Sequence, residues 1–563
     1  MKVVIIGGVA GGATATARIR RLDETAEILV FERSGYISYA NCGLPYYIGD
    51  VITDPEALTL QTPESFFSRF RVTMKVRHEV TAIHPERNTV SVTNLETGEE
   101  FEESYDKLLL SPGAKPTQPK LPGTGISKLF TLRTVEDTFR IKEYINQNHP
   151  KSVVLAGGGF IRLELAENLR ELGMDVTIVQ RPKQLMNPFD PDMAAFIHSK
   201  MRSHGIHLAL GHTVEGFEEK EGGVQVVLKD EAPLQADMVI LAIGVTPDTW
   251  LAKNAGLKLG IKDSIVVNDR METSIPNIYA VGDAVQVKHY VTGLDALISL
   301  AGPANKQGRI AADNICGKDS RYQGSQGSSV IKVFDMTAAV TGVNETNAKK
   351  AGLDVDKVIL SPMSHAGYYP GGKVMTMKVV FEKETYRLLG AQIVGYEGVD
   401  KRIDVLATAI HAGMKATELK DLDLSYAPPY SSAKDPVNMA GFIIDNISKK
   451  ELKQFHLEDI SHLPLDGSVT LLDTRTPGEY SRGHVQGFVN IPVDELRERL
   501  EEIPTGKPVY VMCQSGLRSY ISTRILTGRG YDAYNFSGGF RFYDAVMNDR
   551  CLIQTATACG MDQ

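Results

Sequence analysis

Short β-branched runs that break into glycine turns organise the first half of the chain. Val3-Val-Ile-Ile6 enters Gly7-Gly-Val-Ala-Gly-Gly12, an Ala- and Arg-rich stretch with helical character continues to about Leu22, and a second apolar run, Ile28–Phe31, ends on Glu32. Strand, glycine turn, helix, strand and acid, in that order, is the arrangement that binds a dinucleotide. The glycines let the backbone approach a pyrophosphate at the helix N-terminus, and the carboxylate accepts from a ribose hydroxyl. Gly7, Gly11, Gly12, Glu32 and the adjoining Arg33 are the candidate contacts. The motif is imperfect, because Val9 stands where a second glycine is usual.

The same order recurs at Val153–Ala156, Gly157-Gly-Gly159, Phe160-Ile161-Arg162 and a strand over Val176–Val179. A repeat with strand and helix in register argues against a packing accident. Here Arg162 replaces the third glycine, and Gln180, followed by Arg181 and Lys183, replaces the terminal acid. Losing that carboxylate removes the partner of a free 2′-hydroxyl, while nearby cations accept a 2′-phosphate. NADPH is therefore expected to serve at least as well as NADH, unless Arg181 and Lys183 are simply solvated. Gly157, Gly159, Gln180 and Arg181 are the candidates of this second unit. Two further apolar runs fit the same architecture: Val239–Ile243 leads into Gly244-Val-Thr-Pro247, and Asn277-Ile-Tyr-Ala-Val-Gly-Asp-Ala284 places Asp283 just after a strand.

After Ile447 the pattern changes. Ser448–Gln454 is polar and charged and reads as a linker or linker helix. A small α/β pattern follows, with a strand over Val469–Leu472 leading to Asp473-Thr-Arg475, then Glu479, Gly483-His-Val-Gln-Gly487, and a strand Val509–Met512 that delivers Cys513 into Gln514-Ser515-Gly516-Leu517-Arg518. Successive backbone N–H groups of such a loop form an anion nest at a helix N-terminus, suited to a thiolate and to the terminal sulfur of a persulfide. Arg518 either adds charge there or ties the loop to Asp473 and Glu479. The C-terminal tail with Cys551 and Cys559 lacks strong periodicity. Those two cysteines relay sulfur or are incidental, and Cys316 and Trp250 read as packing residues.

Composition narrows the function. The chain has 563 residues, net charge −8 and five cysteines. The charge gives no electrostatic case for nucleic acid or an anionic membrane. No apolar run approaches the ~18 residues of a membrane helix, and Val3–Ile6 is too short for a signal segment. Five cysteines without paired spacing argue for a reducing, cytoplasmic setting, and neither cysteines nor histidines show metal-ligand spacing. One cysteine stands out. Cys42 lies in Ser38-Tyr-Ala-Asn41-Cys42-Gly-Leu-Pro45, and Tyr47 occupies the position where a C-x4-C redox pair would place its second sulfur. A lone thiol here either packs structurally or finds its sulfur partner in a substrate.

Gly7–Gly12, Ser38–Pro45, Gly157–Gly159 and Tyr279-Ala-Val-Gly-Asp283 together resemble the single-cysteine flavin disulfide reductases, and within them the coenzyme A disulfide and persulfide reductases, over roughly residues 1–445. Residues 455–548 resemble a rhodanese domain. The resemblance implies an α/β chain with an FAD-binding domain (1–115 and 250–322), an NAD(P)H-binding domain (116–249), an α+β dimerisation domain (323–445), a linker (446–458) and a rhodanese-like α/β domain with tail (459–563). The two nucleotide domains would be Rossmann-like and the protein a homodimer. Cys42 and Cys513 would be catalytic, with Tyr368 and Tyr426 reaching the partner's site as proton donors or packing at the interface. Asn41 would contact cofactor or substrate. Coenzyme A, whose phosphates call for a basic site, would engage Arg18, Arg21, Ser38, Asn41, Gln61, Arg69 and Arg71, unless those arginines are merely solvated. Sister oxidases and peroxidases carry a histidine where this chain has Ala10, which speaks against oxygen or peroxide chemistry.

The expected reaction is reduction by NAD(P)H, through FAD, of coenzyme A persulfide, coenzyme A disulfide or inorganic polysulfide. One rival is a persulfide sensor or sulfur carrier whose nicotinamide site Arg162 obstructs. Another is an NAD(P)H oxidase.

Overall fold

The computed structural model describes residues 1–117 and 119–558; Cys559 lies outside them. The chain divides into two compact units, residues 1–183 with 205–327, and residues 184–204 with those from 328 onward.

In the first unit, five parallel strands run in the order Ile278–Ala280, Lys107–Leu110, Lys2–Ile6, Glu27–Glu32 and Thr73–Val76. Strand Lys2–Ile6 is apolar along its buried length because both faces of a parallel sheet are covered. Val3 and Ile5 enter one buried cluster with Ile19 of the helix Ala10–Leu22, and Val4 and Ile6 enter another with Phe31 and Val92. A second parallel sheet has the order Leu129–Thr131, Met238–Leu241, Ser152–Ala156, Asp175–Gln180 and His207–Leu210. Helix Phe160–Glu171 follows its central strand. The repeated unit expected from the two glycine runs is thus present twice. Trp250 departs from expectation: it opens the helix Trp250–Asn254 with 57% of its surface exposed, so it is no packing residue.

The second unit contains an antiparallel sheet ordered Ser329–Val333, Met336–Gly342, Leu388–Gly395, Thr376–Glu382 and Val355–Leu360. The nearly continuous burial of Thr376–Glu382 and Leu388–Gly395 leaves Lys378 inside. Its ammonium is met by Asp190 at 3.1 Å, Asp192 at 2.8 Å and Glu345 at 2.8 Å. Those carboxylates hold the Lys378 pKa up against the desolvation that would lower it.

The same unit holds a five-stranded parallel sheet in the order Gln454–Phe455, Ala533–Phe536, Val509–Met512, Thr470–Asp473 and Val489–Asn490. Its edge strand lies inside the stretch expected as linker, because Phe455 packs its ring on Tyr510 and Phe536 at 5.1 and 5.2 Å. The tail is also more regular than its pattern suggested: Gly539–Ala558 is one helix, carrying an exposed Cys551. Its apolar positions are met by helix Pro191–Ser203, with Phe196 stacked on Phe542 at 6.3 Å.

Candidate active site

The first glycine loop closes only because its residues lack side chains. A Cβ on Gly7, whose φ is +99°, would lie 2.1 Å from the Ser111 carbonyl oxygen, and one on Gly12 would lie 1.9 Å from that of Gly7. Gly11 packs closely against Val281 and Ala304. Glu32 ends its strand beside this loop, accepting the Gly8 and Ser34 amides at 2.9 Å each. Each carboxylate oxygen keeps a lone pair for a ribose hydroxyl. The bare helix start and the half-satisfied acid fit the pyrophosphate and ribose of a dinucleotide. Arg33, in contrast, pairs with Asp248 at 2.8 Å.

Cys42 sits in the one-turn segment Asn41–Gly43, immediately before the helix Leu44–Ile48. Leu44, Pro45 and Ile48 are buried and anchor the helix, while Cys42 is exposed and free. Tyr47 packs on Phe139 at 5.5 Å, which gives the residue at the missing-cysteine position a packing role. Burial of the sulfur side pushes the Cys42 thiol pKa up; the negative charge of Glu164 adds to the shift, and Arg133 opposes it.

Two residues around Cys42 were not singled out from sequence. Arg133 donates to Asp283 at 2.9 Å and to the Ala114 carbonyl at 3.1 Å. With the Asn41 amide oriented to satisfy both its groups, its oxygen accepts from the same Arg133 guanidinium at 3.2 Å. Arg133 therefore joins the cysteine turn to the acid of the Gly282–Ala284 turn. Glu164, on the second dinucleotide helix, accepts from the Tyr46 hydroxyl at 3.4 Å. Burial without a cation pushes Glu164 up to about 7 and, with the Glu164 charge, raises the Tyr46 hydroxyl as well. The local sequence signals were the Arg133-Thr-Val-Glu-Asp137 capping stretch and the acid two residues after Arg162.

Of the candidates for binding coenzyme A, Ser38 and Gln61 lie on paired strands, with Ile37 opposite Gln61. Arg69 lies in the last turn of the helix Pro63–Phe70, and Arg71 is its left-handed cap. Arg20, which is buried, clamps this helix end to the first dinucleotide helix by donating to the Phe70 and Arg71 carbonyls at 2.8 and 3.1 Å. Arg21, Arg69 and Arg71 are each exposed. Arg18 points elsewhere, pairing with Asp313 at 2.8 Å.

In the second glycine loop, Gly157 has φ +118°. Arg162 neither points outward nor leaves the loop bare. A Cβ on Gly157 would meet its Cζ at 2.6 Å and Nε at 2.7 Å, and one on Gly159 would meet its Nη1 at 3.1 Å. Gln180 ends its strand, and Arg181 and Lys183 are exposed. Gly244, at φ +125°, turns the chain after Met238–Leu241.

In the second unit, Cys513 follows strand Val509–Met512 and is fully buried. Its Sγ accepts from the Gly516 amide at 3.1 Å and from the Ser519 hydroxyl at 3.2 Å. The loop Gln514–Arg518 wraps the sulfur, with Gly516 at φ +99° and Leu517 exposed at the start of helix Leu517–Gly528. Arg518 makes a bidentate pair with Glu479, 2.7 Å on each arm. Asp473 pairs instead with buried Arg475 at 2.7 Å. Of the two acids considered for Arg518, the structure selects Glu479. Tyr368 and Tyr426, also in this unit, share a 2.6 Å hydroxyl–hydroxyl hydrogen bond on an exposed face. Among the described residues no cluster of side chains could hold a metal ion, and no helix is long and apolar enough to cross a membrane.

Two nucleotide-binding folds with one exposed thiol, joined in sequence to a sheet that presents a loop-wrapped thiol, define an oxidoreductase with a rhodanese module. The chain belongs to the pyridine nucleotide-disulphide oxidoreductase family, whose pattern matches residues 1–308; the family's dimerisation domain matches 328–436 and a rhodanese-like domain 443–545. It is 38% identical to the coenzyme A disulfide reductase of Staphylococcus aureus over 442 residues, covering 78% of this chain and 99% of that protein. The structure of reduced Bacillus anthracis CoADR-RHD superposes with a TM-score of 0.95 at 48% identity, covering 98% of each chain. An NAD-dependent persulfide reductase from A. fulgidus superposes with a TM-score of 0.90 at 37% identity, covering 96% of this chain and 100% of that one.

Proposed function

We propose that this chain is an FAD-dependent NAD(P)H reductase of coenzyme A persulfide, polysulfide and coenzyme A disulfide, with sulfane sulfur handled at Cys513. The observation that carries it is the exposed Cys42, free and with Tyr47 where a second redox cysteine would stand. Such a thiol forms its disulfide with a substrate. FAD fits Gly7, Gly11, Gly12, Glu32 and Asp283, and when bound it supplies two-electron transfer between nicotinamide and sulfur. The Cys42 thiolate attacks the sulfur bonded to coenzyme A, forming a mixed disulfide and expelling hydrosulfide or a thiolate. Two electrons and one proton, drawn from NAD(P)H and H⁺, then restore Cys42 and release coenzyme A. Asn41 and Ser38 hydrogen-bond the departing thiolate, and the exposed Arg21, Arg69 and Arg71 meet the phosphates of coenzyme A. In a homodimer, the Tyr368–Tyr426 pair is the proton donor offered to the partner's active site. In the net reaction NAD(P)H, one proton and coenzyme A persulfide give NAD(P)⁺, coenzyme A and hydrogen sulfide, which balances atoms and charge.

The test is anaerobic flavin bleaching by NADH and NADPH, followed by coenzyme A persulfide. Bleaching, then reoxidation with one sulfide per flavin, supports the reductase. Failure of both nucleotides to bleach the flavin overturns it in favour of a sensor or carrier. Rapid turnover with oxygen alone makes it an oxidase.

A further inference from the structure

Among the described residues, Arg162 is the cation of the second dinucleotide loop without an electrostatic partner in view. Its Nε is buried and has no hydrogen-bond acceptor. Its guanidinium lies against Gly157 and Gly159, the residues whose missing side chains open the approach to helix Phe160–Glu171. At that helix start the Phe160 and Ile161 amides have no intrahelical acceptor, while the Arg162 amide donates to the Gly159 carbonyl at 3.1 Å. Donors of two kinds, a guanidinium whose Nε is buried and unpartnered and a helix N-terminus, therefore converge over the glycines. Burial alone acts on the guanidinium, lowering its pKa to about 10, and no neighbouring carboxylate compensates. A charge held this way costs stability unless an anion arrives.

We propose that Arg162 binds the pyrophosphate of the nicotinamide dinucleotide, so that the residue replacing the third glycine is a substrate ligand rather than a plug. The inference rests on the reductase reading. The incoming pyrophosphate occupies the space over Gly157–Gly159, accepts from the helix amides, and draws the guanidinium off the glycines into an ion pair at the loop's rim. The family's usual glycine gives close packing with no charge. This chain exchanges that packing for an added cation, which compensates for the missing ribose acid at Gln180. Binding should then depend on the pyrophosphate shared by NADH and NADPH more than on the ribose that distinguishes them.

The experiment titrates the oxidised, FAD-loaded protein with NADP⁺, NAD⁺ and inorganic pyrophosphate by calorimetry at several salt concentrations, in the wild type and in Arg162→Lys, Arg162→Met and Arg162→Gly. Removing a charge-assisted contact should weaken binding of all three about tenfold or more in the Met and Gly variants. The salt dependence of Kd should flatten in both, because one screened ion pair is gone. Arg162→Lys should recover most of the affinity and the salt slope. In stopped-flow flavin reduction the KM for both nucleotides should rise while the limiting rate stays near wild type. Equal or tighter binding by Arg162→Gly with an unchanged salt slope makes Arg162 an obstruction and overturns the proposal. Should the Met or Gly variant fail to load FAD, a wild-type protein of full flavin content whose Kd for NADP⁺, NAD⁺ and pyrophosphate does not change with salt overturns it equally. If the wild-type protein binds no nucleotide and its flavin is not bleached, it is the reductase reading that fails.

Discussion

The Glu164 carboxylate bears on the ionisation of the Cys42 thiol. Burial sets Glu164 near 7, and its negative charge is the second cause, after desolvation, that raises the Cys42 thiol. As pH rises through about 7, Glu164 ionises and makes Cys42 harder to deprotonate. Glu164→Gln removes that opposition. The midpoint of the pH–rate curve for alkylation of Cys42, followed by peptide mass spectrometry, should move to lower pH, and an unmoved curve would show that the two groups do not communicate. Cys42→Ser should abolish reduction of coenzyme A disulfide while leaving flavin bleaching by NAD(P)H intact, as rapid-mixing absorbance would reveal. At the ribose end, Arg181 is exposed. Arg181→Ala is expected to raise KM for NADPH by roughly fivefold, the worth of an exposed ion pair, and to leave KM for NADH unchanged. Equal effects on both nucleotides would assign the 2′-phosphate elsewhere. Cys42, the glycines and Cys513 were legible from sequence because their chemistry demands particular residue types at fixed local spacing. Arg133 and Glu164 were not, since their partners Asp283 and Tyr46 lie 150 and 118 positions away.

The loop after strand Val509–Met512 shows how an element is held by a distant cap. Thr476 opens a short helix, Pro477–Ser481, and Glu479 closes its capping box while gripping Arg518. The Arg518 pair and the capping hydrogen bonds outweigh desolvation and depress Glu479 to about 2. A carboxylate lowered in the folded state contributes stability above its ordinary range and loses it as pH falls through the folded value. The loop should therefore hold its geometry from neutrality down through pH 5 and fail only in strong acid. Glu479→Ala should cut thiosulfate:cyanide sulfur transfer roughly tenfold, as expected for losing a charge-assisted fork. Full activity in that variant would mean Arg518 positions nothing. The loop and its strand were readable because the apolar run stops at the cysteine. The helix Gly539–Ala558 was not, because its apolar positions meet Pro191–Ser203 from far earlier in the sequence rather than forming one clean local stripe.

At the scale of the molecule, the rhodanese part is bound into the second unit by polar contacts that leave little slack. Leu185 N–H donates to His198 Nε2 at 2.9 Å, so Nδ1 carries the proton and donates to Asp549 at 2.8 Å. Arg202 completes the acid's coordination at 2.5 Å. Lys357 reaches Glu458 at 2.6 Å, and the Ile359 amide donates to the Ser537 hydroxyl at 3.0 Å. Asp549→Ala strands a buried imidazole donor and removes the partner of the half-buried Arg202, and should cost about 2–4 kcal/mol, read as a lowered melting temperature with flavin content unchanged. Wild-type melting would show the contact to be idle. His198 and Arg202 keep Asp549 below the ordinary carboxylate range, so this contribution is present near neutrality and fades on acidification.

The His198–Asp549–Arg202 knot bears on how the two chemistries are to be told apart. Severing the chain after residue 445 would strip helix Pro191–Ser203 of its cover, leaving Phe196 and the imidazole of His198 facing water. The shortened protein would precipitate or lose shape for reasons unrelated to sulfur traffic, and its silence would be mistaken for proof that the appended module is indispensable. Over time such a graft becomes a buttress: a lineage could lose Cys513 and still be obliged to keep everything around it. A single-atom change at that sulfur, not the scissors, is what isolates its contribution.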